Sequence, residues 1–132
     1  MKKINLIATV VLLASLLIAT GCSQDYGKML TFNGGQLYYT SSVTLDEANK
    51  LGRYLVPVEF FDGNEKTVQI NKTGNTYEFR MVIKQGIEND QEFIQISKQF
   101  CKELSADVFD GKQVDVHLCD DQLKTLRVVV AL

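Results

Sequence analysis

The sequence predicts an α+β fold: a two-layer sandwich in which an antiparallel sheet carries two helices on one face, in the order β-α-β-β-α-β-β. Three observations predict it. Short runs with strand character fall at 36–40, 66–72, 76–84, 114–118 and 126–131. Two of the segments between them place apolar residues at helical spacing. Finally, Phe61-Asp62-Gly63 recurs as Phe109-Asp110-Gly111, at the same offset that lays Val68-Gln69-Ile70 over Val116-His117-Leu118.

Each element has its own warrant. Residues 36–40 carry Leu37, Tyr38 and Tyr39 and read as a strand. Thr44 to Glu47 has the form of a capping box, and Leu45, Ala48, Leu51 and Leu55 follow at helical spacing until Pro57 stops the helix. Thr73-Gly74-Asn75 separates two strands as a hairpin turn. Asn89 or Asp90 is placed to cap a second helix, whose inward stripe is expected to be Phe93, Ile96, Phe100, Leu104 and Val108. Val114, Val116 and Leu118 alternate with Asp115, His117 and Cys119, and a last, nearly continuous apolar strand closes the chain. The recurring Phe-Asp-Gly then reads as an internal duplication of a strand, helix, turn, strand unit, with the halves packed about a pseudo-twofold axis in the ferredoxin-like manner.

The front of the chain is of another kind. Met1-Lys2-Lys3 is basic, residues 4–18 are almost wholly apolar, and Ala19-Thr20-Gly21 sets small residues directly before Cys22. A basic n-region, an apolar run and a small-residue cleavage site define a signal peptide. The ending resembles the lipobox of bacterial lipoproteins, with Ala19 where leucine is usual. That resemblance implies a diacylglycerol on the Cys22 thiol and cleavage before it. An ordinary cleaved signal and an uncleaved membrane anchor are the alternatives, and all three put the domain outside the inner membrane. The expected organisation is a signal peptide at 1–21, a tether at 22–35 and one domain at 36–132. A dozen tether residues would reach about 40 Å at ~3.3 Å each. Ser23 after the cysteine is, by the same resemblance, compatible with an outer-membrane location facing the periplasm, or with the exterior of the cell membrane.

The segments LYYTSSVT, EANKLGRYL, FFDGNEKTVQI, VFDGKQVDVHLCD and LKTLRVV resemble an α+β domain that recurs, with no assigned activity, in bacterial membrane proteins and lipoproteins. The resemblance covers nearly all of the chain after Cys22 and supports fold and location alone.

Composition narrows the function. The formal charge is −2, and removing the two lysines of the signal leaves a more acidic remainder without a basic cluster, which argues against a nucleic-acid partner. Cys101 and Cys119 could form a disulfide in an oxidising compartment, closing a loop of about 18 residues worth roughly 3 kcal/mol, or stand as two free thiols. Strand alternation puts Cys119 on the face away from the helices, which complicates the bridge. No metal-ligand spacing and no cofactor motif is present, so no metal site and no cofactor are expected. His117, the only histidine, is expected as a solvent-facing strand residue; a Cys119/His117 thiol site is the competing chemical reading. Asp120-Asp121 reads as a solvated turn, and the Asn71 sequon as accidental. The expected function is therefore a non-catalytic, lipid-anchored module that binds an envelope protein or a second copy of itself through a sheet face or edge. A small envelope thiol or redox enzyme, or a ligand-binding lipoprotein, is the alternative.

Overall fold

The computed structural model describes residues 25–131. The expected signal peptide and Cys22 lie outside the described residues. The elements are β1 (Lys28–Phe32), β2 (Gly35–Tyr39), α1 (Leu45–Leu55), β3 (Lys66–Thr73), β4 (Thr76–Val82), a 3-10 turn (Ile87–Asn89), α2 (Gln91–Asp107), β5 (Val114–Cys119) and β6 (Thr125–Val129). The fold is mixed α+β, with all six strands in one sheet in the order β1-β2-β3-β4-β5-β6. Among the described residues no helix is long and apolar enough to cross a membrane.

Two sequence expectations are corrected at once. Residues 28–32, within the expected tether, form an additional strand, because Leu30 and Phe32 alternate inward and Asn33-Gly34 makes a two-residue hairpin turn. Both turn residues have positive φ, 45° and 84°, the conformation such tight hairpins demand and Asn-Gly supplies. The sheet is also mixed rather than antiparallel: β2 pairs parallel with β3, and β4 with β5. A strand followed by a helix cannot return as a hairpin, so each helix carries the chain back to start a parallel neighbour.

Both helices pack on the same face. Tyr54 on α1 donates its hydroxyl to Asp107 Oδ2 on α2 at 3.0 Å, and Tyr77 of β4 reaches Glu47 on α1 while stacking on Phe109 after α2. The β2-to-β3 and β4-to-β5 steps move the same way across the sheet, yet β4 runs opposite to β3. The two crossovers therefore have opposite hands, and one is left-handed, which parallel crossovers almost never are. No rotation relates two units of opposite hand, so the arrangement is not the ferredoxin-like one expected.

The local reasons for the helices are as the sequence predicts. Thr44 Oγ1 accepts from Glu47 N while Glu47 Oε1 accepts from Thr44 N, and Asp90 Oδ1 accepts from Glu92 N and Phe93 N. The expected stripe of α2 holds at Leu104 and Val108, which are buried, and at Phe93 and Phe100, which pack partly buried against the core. It is corrected at Ile96, 58% exposed, while Ile94, Ser97 and Cys101 are buried beside it. The core joins Ile94, Cys101 and Leu104 to Leu51 and Leu55 of α1, to Leu37, Val68, Ile70, Phe79 and Val116 of the sheet, and to Phe61. Aromatic rings press on the backbone at two glycines. A methyl on Gly35 would sit 2.1 Å from the Phe61 ring, and one on Gly52 the same distance from the Phe32 ring.

Candidate functional site

The helix-free face of the sheet carries a connected polar network. Thr40 Oγ1 donates to Asn71 Oδ1 at 2.7 Å, and Asn71 Nδ2 donates to Glu78 Oε1 at 2.7 Å. Glu78 Oε2 lies 3.6 Å from His117 Nε2, Arg80 Nη1 lies 3.3 Å from His117 Nδ1, and Thr125 Oγ1 is 2.9 Å from the same nitrogen. Register explains the assembly: Asn71 faces Glu78 across β3 and β4, while Arg80 faces His117 across β4 and β5.

His117 is buried, not solvent-facing as expected. The 120–124 loop accounts for part of this, since Arg80 donates to the Leu123 carbonyl and Leu123 is itself buried. A guanidinium only donates hydrogen bonds, so Nδ1 is the accepting nitrogen and the ring proton sits on Nε2, facing the carboxylate. Burial holds the imidazole pKa below its ordinary 6.5, opposed by Glu78 and reinforced by Arg80. The site thus holds a neutral imidazole beside a carboxylate.

The thiol of Cys119 does not join it, and the hydroxyl beside the accepting nitrogen is that of Thr125. Cys119 is buried, and its thiol donates to the His117 carbonyl rather than to the imidazole. Burial raises its pKa above 9.0, and raises that of Cys101 to about 11. Both thiols are free: Cys101 points into the helix-covered core and donates to Val129 O at 3.4 Å, while Cys119 faces the other side of the sheet. Asp120 acts as a turn residue, its Oδ1 accepting from Gln122 N and Lys124 N. Among the described residues every buried side-chain nitrogen and oxygen has a hydrogen-bond partner, and no group of three or more His, Cys, Asp or Glu is placed to hold a metal.

Two other surfaces offer binding. The first is a cleft of about 580 Å³ between the end of α1, the start of α2 and the sheet, lined by Val58, Phe60, Met81, Ile83, Phe93 and Phe100 among others. Its walls come from segments that meet only in the fold, so its lining is not legible in the sequence. The second is the free edge of β6. Leu126 and Val128 are 44% and 48% exposed there, and the register shifts beside Cys119 so that one extra residue bulges from the edge.

These features define a small mixed α+β domain with a satisfied polar face, an apolar cleft and an open strand edge. A family model described as a family N-terminal domain, from an uncharacterised domain family, matches residues 29–130, and the chain belongs to that family. No curated protein and no solved structure matches it.

Proposed function

We propose that the chain is a lipid-anchored module of the bacterial cell envelope, held through Cys22, whose domain docks another envelope protein along β6 and performs no catalysis. The carrying observation is the β6 edge: a strand paired on one side only, with β5, and bearing exposed Leu126 and Val128 offers backbone donors and acceptors to an incoming strand, and apolar side chains to seat it. The membrane location rests on the sequence of residues 1–22, with its basic start, apolar run and small residues before the cysteine. The polar face argues against the thiol-enzyme alternative, since the Cys119 thiol bonds the His117 carbonyl and not the imidazole.

Crosslinking in intact cells with a C-terminally tagged copy tests the reading. One envelope protein recovered in stoichiometric amount, and lost on Arg127→Pro or Val128→Lys, is expected. Recovery of the protein alone would overturn docking, and Cys22→Ser left on membranes at its normal processed mass would overturn lipid anchoring.

The cleft favours a second reading, binding of a small apolar ligand. Displacement of a fluorescent apolar probe, abolished by Phe100→Glu with the fold intact, would support it over docking.

A further inference from the structure

The start of the described chain is tied to the sheet. Gln69 Nε2 on β3 donates to Tyr26 O at 2.8 Å. The Tyr26 ring meets the Tyr38 ring edge to face, with centroids 5.4 Å apart. Gly27 passes so close to β2 that a methyl on it would lie 2.2 Å from Tyr39 O, and its φ of +97° suits glycine. Most of the segment expected as a free tether is therefore built into the domain. From Cys22 to Tyr26 the chain can reach about 14 Å at most, against the 40 Å that a free tether would give.

From this we infer that, when Cys22 is lipidated, the β1 corner of the domain rests against the bilayer surface and the β6 edge is held away from it. The inference rests on the lipid-anchor reading and adds an orientation to it. Tyr26, Tyr38 and Met29 gather at that corner: Met29 pairs with Tyr38 across β1 and β2 and is 46% exposed. Amphipathic tyrosine rings favour the headgroup level of a membrane. The anchoring segment leaves the domain at Tyr26, bonded to β3 and packed on β2. Neighbouring strands lie about 4.8 Å apart, so three to four steps set the β6 edge roughly 14 to 19 Å across the sheet from that exit. The anchored edge is thereby covered by lipid headgroups and the opposite edge stays open to a protein in the aqueous space.

The chain contains no tryptophan, so one introduced indole reports its own surroundings. The full-length chain carrying Met29→Trp, and separately Leu126→Trp, is purified from membranes and its mass measured. It is then reconstituted into vesicles of phosphatidylethanolamine and phosphatidylglycerol, with or without bromine on the acyl chains near the headgroup. The two sites have similar exposure, 46% and 44%. Brominated lipid is expected to remove most of the emission at 29 and leave that at 126 unchanged. A glycine-serine insertion between Ser23 and Asp25, long enough to restore the free tether, abolishes the difference. Equal quenching at both sites in an acylated protein overturns the orientation alone. A mass without acyl chains overturns the anchor reading and the orientation with it.

Discussion

His117 Nδ1 lies 3.3 Å from Arg80 Nη1, a contact that adds to burial in disfavouring the protonated form of the only histidine. A protonated ring would present an N–H to a cation that can only donate. Burial and Arg80 lower the folded pKa below 6.5, while Glu78 opposes them. The unfolded chain consequently binds the proton first as pH falls. Stability is fully present above about pH 6.5, falls as pH drops below it, and levels off below the folded pKa. Urea midpoints measured from pH 8 to pH 5 should fall more steeply for the native chain than for His117→Gln. Identical slopes would show that the imidazole is not held neutral.

Gly52 sits on the α1 face that meets β1. A methyl there would lie 2.1 Å from the Phe32 ring, which stacks in turn on Phe61 with centroids 6.3 Å apart. Gly52→Ala raises helix propensity by up to ~1 kcal/mol, but overpacking of this kind costs about 1 to 3 kcal/mol. The net expectation is a lower urea midpoint, and Gly52→Ala with Phe32→Leu should recover part of the loss. A single variant more stable than the parent would show that the ring moves freely.

Much of the fold is legible because its signals are local. The Thr44 and Asp90 caps, the Gly74 turn and the alternation of Val114 to Cys119 are each written within a few residues. The signal for β1 is local too, since Asn33-Gly34 between apolar-alternating residues is a hairpin signature, but the polar residues before it and the adjacent glycines give it equally the character of a tether. In α2 only Ile96 departs from the predicted stripe, because Ile94 and Ile96 both offer an apolar side chain and only the sheet decides which turns inward. The polar network was not legible. Its members come from five separated segments, and the burial of His117 depends on Arg80 and on the 120–124 loop closing over it.

Phe100 joins the cleft wall to the core. It stacks on Phe60 at 5.7 Å and meets Phe79 edge to face at 5.3 Å. Removing the ring deletes both contacts and enlarges the cleft, and Phe100 is only partly buried. Phe100→Ala should therefore cost about 3 kcal/mol, the low end for a phenylalanine truncation. Chemical denaturation measures it. A loss under about 1 kcal/mol, within the scatter of ordinary surface substitutions, would mean that α2 is not held to the sheet through this ring.

The two thiols separate the binding reading from the thiol-enzyme reading. A catalytic cysteine needs an accessible thiolate at neutral pH, whereas Cys101 and Cys119 are both fully buried with raised pKa values. In the native protein at pH 7.5 neither should react with a maleimide or an aromatic disulfide, and both should react at once in denaturant. Because the thiols sit on opposite faces of the sheet, oxidant alone should not join them either. Rapid native labelling confined to Cys119, suppressed by His117→Gln and preserved in Cys101→Ser, would carry the opposite meaning. It would require the 120–124 loop to open and the thiol to trade the His117 carbonyl for the imidazole, and a reactive site would replace the structural one.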